Sequence, residues 1–182
     1  TELPRTKCAH FVLGNSVAHG QGGAPTVLPT TSPTALTSDE NAQRLNRAWT
    51  WMRTFYRTKD VAGFKAAFAD LEVAGGLEPS TIGVTLLGFF SEFFRAHPEL
   101  LEQALYPTER WSEGEKEWLG YIVYYARVPT AAKVLGDLGD PEVRKLPPLS
   151  CDEVGMTSPG TVYYCWGYFF ATGDNRAIRK IF

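Results

Sequence analysis

The stretch "YYCWGYFFATGDNRAIRKIF", Tyr163 to Phe182, decides how the rest of the chain is read. Its first eight residues carry six aromatic rings, and the run then breaks at Ala171-Thr172-Gly173-Asp174. Ser158-Pro159 ahead of it supplies an N-cap with proline at the first helical position, and Asp174 is placed to cap a following helix. The segment therefore reads as a helix that ends on an aromatic doublet, a short bend, and a second helix.

The same design occurs three more times upstream. "WTWMRTFYRTKDVAGFKAAF" carries Phe55-Tyr56, "GFFSEFFRAHPELLEQAL" carries Phe93-Phe94, and "GYIVYYARVPTAAKVLGDL" carries Tyr124-Tyr125. With Phe169-Phe170, each doublet precedes a bend of four residues and another helical stretch. Neighbouring residues on a helix point about 100° apart, so a doublet widens the apolar face. One ring can then pack inside its own hairpin while the other meets a second hairpin.

Helix signals agree with that division. Thr37 to Glu40 and Ser112 to Glu115 have capping-box spacing. Leu45, Trp49, Met52 and Tyr56 recur at helical intervals, as do Val61, Phe64, Phe68 and Leu71. Gly75-Gly76 stops the second helix, and a third is predicted from Pro79-Ser80 to Ala96. His97-Pro98 and Pro129 interrupt the later pairs. No strand pair is evident. The predicted fold is all-α, a stack of helical hairpins forming an α-α superhelix, with an irregular bundle as the competing arrangement.

Between Cys8 and Ser38 the chain has no Asp, Glu, Lys or Arg, and much of it is Gly, Pro, Ser and Thr. Proline and glycine both oppose regular structure. Residues 1–37 are predicted to be an extended or flexible N-terminal arm and residues 38–182 the helical repeat domain. The chain closes inside "RAIRKIF", which predicts either a cut within a helix or an apolar face awaiting cover.

Residues 39–182 resemble the tetratricopeptide-like and related α-hairpin repeat proteins. "EWLGYIVYYA", with Trp118, Leu119, Gly120 and Tyr121, echoes the repeat signature, although its spacing differs and the doublet intervals of 38, 31 and 45 residues depart from a regular period. "WGYFFATGDNRAIRKI" is similar to segments of uncharacterised bacterial helical proteins. The resemblance implies a superhelix whose curved face takes a protein or peptide, as in an inhibitor, an immunity protein or an assembly scaffold of a bacterium.

Composition narrows the function. A formal net charge of −2 and scattered arginines argue against nucleic-acid binding. The longest apolar run, "TIGVTLLGFFSEFF", falls short of a bilayer span. No signal peptide is visible, and the expected setting is soluble, in the bacterial cytoplasm or periplasm. Cys8, His10 and His19 lack the fourth ligand and rigid frame of a zinc site. Glu113, Glu115 and Glu117 suit a helix start, and neither glycine pair has a phosphate-loop pattern. No catalytic residue, metal or cofactor is predicted. Cys165 reads as a small core residue; Cys151 reads as a loop residue, either alone or paired with Cys8.

Partner contacts are expected from Arg53, Arg57, Tyr121, Tyr124, Arg127 and Tyr168, the residue types enriched at interfaces. The alternative is an α-bundle enzyme or an apolar-ligand binder with an aromatic-lined pocket, which a cluster of buried titratable residues would favour. The uncharged arm would lose little solvation on docking into the groove of its own or a neighbouring molecule. Deleting residues 1–36 is expected to change oligomeric state or partner affinity, read by light scattering and binding titration; if neither changes, the arm does not dock.

Overall fold

A computed structural model describes residues 37–77, 83–139, 151 and 159–179. The arm, apart from Thr37, lies outside the described residues. All described residues belong to the unit Leu36–Phe182 and are built from helices and turns.

Both predicted capping boxes form. Thr37 opens α1 (Ser38–Thr58), accepting from the Glu40 N–H while Glu40 returns to the Thr37 N–H. Ser112 and Glu115 do the same for α5 (Glu113–Ala126). Each box satisfies donors that a helix start leaves open. The remaining helices are α2 (Phe64–Val73), α3 (Gly83–Ala96), α4 (Pro98–Leu105), α6 (Ala131–Leu138), α7 (Pro159–Thr172) and α8 (Arg176–Arg179), with a 3₁₀ turn over Thr108–Arg110. The second helix starts at Phe64, later than its pattern suggests. Asp60 and Gly63 close a turn there, the Asp60 carboxylate accepting the Gly63 N–H at 3.0 Å.

The aromatic doublets mark the helix ends, and the backbone explains why. Lys59 (φ 49°), Arg127 (φ 54°) and Gly173 (φ 81°) are left-handed, at the bends after α1, α5 and α7. His97 instead has φ −133° and ψ 63°, neither helical nor left-handed, because proline at 98 disfavours helical geometry in the residue before it. Doublet rings then fasten one helix to others. Phe55 packs edge-on against Phe89 and Phe93 of α3, while Tyr56 lies 4.8 Å from Phe169 of α7. Phe93 stacks on Phe64 at 4.8 Å, and Phe94 meets the same ring edge-on.

α3 occupies the centre. Leu86, Phe89, Phe90, Phe93 and Phe94 are all fully or almost fully buried, so the helix is apolar around most of its circumference. Its most extensive partner is α7, followed by α5. Two glycines allow the first of these. A Cβ at Gly88 would collide with the carbonyl oxygen of Tyr164, and a Cβ at Gly167 with that of Thr85. The backbones of α3 and α7 therefore touch directly, each glycine facing the other helix's main chain. α5 sits on the other partner face through Trp118, whose indole lies against Gly83, and through Leu119 and Ile122.

Helices adjacent in the chain pair as hairpins, α1 with α2, α3 with α4, α5 with α6 and α7 with α8. Hairpins do not stack in chain order, however. α7 packs on α3 and on α1, the first helices of the second and first hairpins. In a serial superhelix each repeat touches only its neighbours. The close glycine crossing, together with an α3 that needs cover on several sides, brings the last hairpin against both of the first two.

Gly88→Ala and Gly167→Ala are each expected to cost about 3 kcal/mol or more, since the colliding atoms are backbone and cannot rotate away. Gly136→Ala, with open space around it in α6, is expected to gain up to ~1 kcal/mol. Urea denaturation checks all three.

Candidate functional site

Of the residues expected to meet a partner, Arg53 and Arg57 lie exposed on α1, the guanidinium of Arg57 resting 5.5 Å over the Tyr56 ring. Tyr121 and Tyr124 are half-buried on α5, the first donating to Glu117 at 3.3 Å and the second packed edge-on against Tyr125. Arg127 is exposed at the left-handed end of α5. Tyr168 is half-buried on α7, its hydroxyl reaching Asp174, whose carboxyl Arg176 holds down to about 2. The structure does not bring these six together: α1 and α5 make no extensive contact, and α3 and α7 stand between them.

Two other groupings do form. The first is a face of α7 that the sequence reading treated as core. Tyr163, Trp166 and Phe170 fall at positions i, i+3 and i+7 on one side of α7, which Gly167, four residues after Tyr163, borders. Tyr163 is 57% exposed, and the Trp166, Phe169 and Phe170 rings are only half-buried. The Phe170 and Phe169 centroids lie 5.8 and 6.1 Å from the Trp166 ring, and Phe169 continues the surface to Tyr56 and hence to Arg57. The Lys59 ammonium seals this junction by donating to the last carbonyls of α7, Ala171 and Thr172, at 3.4 and 3.2 Å. A cation there also suits the negative end of the helix dipole.

The second grouping is a polar cluster at the seam of α3, α5 and α7, in which Arg95 is exposed while the Glu92 side chain and Tyr164 are buried. The Arg95 guanidinium donates to both Glu92 oxygens at 2.7 Å, to the Tyr125 carbonyl at 2.6 Å and to that of Ala126 at 3.3 Å. It thus caps α5 from α3. The Glu92 side chain is only 9% exposed. Burial pushes its carboxyl above the usual range, with Arg95 and Arg127 opposing the rise. Tyr164, 4% exposed, has its hydroxyl pushed up by burial first and then by Glu92 and Cys151. The sulfurs of Cys151 and Cys165 lie 2.7 Å apart, both buried. Cys151 is therefore no open loop residue: its near partner is Cys165, while Cys8 lies outside the described residues.

This cluster escaped the sequence reading because its members come from three hairpins. One local signal was present, a Glu with Arg three residues on in the middle of the apolar run of α3. Such a pair inside a buried helix has to be satisfied internally. A comparable signal existed for Asp70 on α2, which takes Arg47 at 2.9 Å and Arg44 at 3.0 Å and is held below the ordinary carboxylate range by them, Arg47 foremost.

Among the described residues no helix is long and apolar enough to cross a membrane. Comparison with protein-family models, with curated proteins and with solved structures finds no match.

Glu92 gives the stability profile a definite sign. Its folded pKa lies above the unfolded value, so the folded state holds more protons between the two and stability falls as pH rises through that interval. The penalty is complete above the folded pKa and absent well below 4.5, the ordinary value. Glu92→Gln is therefore expected to shift Tm most favourably relative to the native chain at neutral pH, the difference shrinking on acidification towards that value. A pH-independent difference would show that burial does not burden this carboxyl.

Proposed function

We propose that residues 38–182 form a protein-binding helical module with no catalysis of its own, acting as an inhibitor or assembly partner. The observation that carries this reading is the aromatic surface of α7 and α1. A helix with one side open to solvent is ordinarily polar on that side. Here that side presents Tyr163, Trp166 and Phe170, continuous through Phe169 and Tyr56 with the exposed arginines Arg53 and Arg57. Aromatic rings and arginine dominate binding energy at protein interfaces, because they bury much area with few torsions to freeze.

The chemistry of the face specifies its partner. Among the described residues neither Arg53 nor Arg57 has a carboxylate partner, Arg53 reaching only the Trp49 carbonyl at 3.4 Å. The partner suited to it carries an apolar anchor beside Asp or Glu side chains. Of the six partner-contact residues expected from sequence, Arg53 and Arg57 belong to this face; Tyr121, Tyr124 and Tyr168 are half-buried elsewhere on α5 and α7, and Arg127 is exposed at the end of α5.

A second reading rests on the cluster of Glu92, Arg95 and Tyr164, the kind of titratable grouping that a small-ligand binder or an enzyme would hold. Arg95 already fastens α5 to α3 and is bonded by Glu92, and this favours the first reading.

The full chain, immobilised in its native host's extract, is expected to retain a protein that the double variant Arg53→Glu/Arg57→Glu and the single variant Tyr163→Ala retain at least roughly tenfold less well. Circular dichroism checks that both variants stay folded. Equal retention by all forms, or capture lost only in Glu92→Gln, would overturn the assignment of the face.

A further inference from the structure

We propose that Cys151 and Cys165 are the two halves of a reversible disulfide that fastens the connection between α6 and α7 to the middle of α7. Cys165 is fully buried on α7, and Cys151, 14 residues earlier, is buried against it. Their sulfurs lie 2.7 Å apart, closer than two sulfurs packed as ordinary core atoms. A bond of about 2.05 Å needs roughly 0.7 Å of further approach, within what side-chain torsions supply. Burial alone would be met by any small apolar residue at either position. Two cysteines meeting sulfur to sulfur from separate segments is the arrangement that a cross-link needs.

The oxidant is a small-molecule disulfide of the glutathione class. Cys151 is the entry point, because it retains slight exposure where Cys165 has none. Its thiolate attacks one sulfur of the small disulfide, forming a mixed disulfide and releasing one small thiolate. The Cys165 thiolate then attacks the Cys151 sulfur of that mixed disulfide, closes the protein bond and releases the second. In sum, two protein thiols lose two protons and two electrons, and the small disulfide gains them as two thiols. Excess small thiol reverses both steps.

The consequence falls on α7, which carries both the glycine crossing with α3 and the aromatic face. Closing a loop of about 15 residues restricts the unfolded chain and stabilises the folded one. For a domain of this size the expected rise in Tm is roughly 6–12 °C.

The test uses the full chain equilibrated with oxidised glutathione, then alkylated in denaturant, digested without reduction and mapped by mass spectrometry. The expected result is a peptide joining Cys151 to Cys165, an alkylated Cys8, and a thiol count that falls from three to one. Tm should rise on oxidation and return with dithiothreitol, and Cys151→Ser should show no rise relative to its own reduced form. A peptide joining Cys8 to Cys151, a glutathione adduct that never resolves, or three titratable thiols after oxidation would overturn the proposal.

Discussion

The fold depends on the direct backbone contact of α3 and α7. Packed helices normally stand 8–10 Å apart, held off by their side chains. At Gly88 and Gly167 there is no side chain to hold them off, and each helix lays its main chain against the other's. That approach places Tyr164 and Cys165 in the core and turns Trp166 and Phe170 outward. It also sets the depth at which Glu92, on the same helix as Gly88, meets Arg95 and Tyr164. Both candidate sites therefore inherit their geometry from one crossing.

A second regularity concerns how helices end. Carbonyls at a helix C-terminus need donors, and several are supplied here by other elements. Lys59 closes α7, Arg95 closes α5, and the Trp111 indole closes α4 by donating to Leu105 at 2.9 Å. Left-handed Lys59 ends α1 and its ammonium ends α7, so one residue serves two helices. The aromatic doublets sit just before these ends because a bend needs both a stop for the backbone and a wedge of apolar area to hold the two arms together.

What could be read from sequence follows from the range of the forces involved. Capping boxes, proline at the first turn and the doublets are local, and Thr37, Ser112, Pro98 and Pro159 all act as their neighbours suggest. Hairpin pairing was legible for the same reason, since short bends leave the chain few alternatives. The order of hairpins was not, because it turns on two glycines 79 positions apart, and neither has a side chain to announce a role. Of the candidate face, Arg53 and Arg57 were legible as exposed cations on an amphipathic helix. Trp166 and Phe170 were not, since an aromatic run looks the same whether it is buried on every side or on one. The meeting of Cys151 with Cys165 was hidden by the same long-range packing.

Because α7 follows α4, α5 and α6 in the chain, the flank of α3 that bears Gly88 has no cover until those helices have been synthesised. At about 5–20 residues per second, the ribosome takes on the order of 3–13 seconds to proceed from the end of α3 to the start of α7. Throughout that interval the flank of α3 around Gly88 lacks the helix that covers it in the folded chain. Closure of the core around α3 therefore waits on residues 159–172, a contact distant in sequence that forms late.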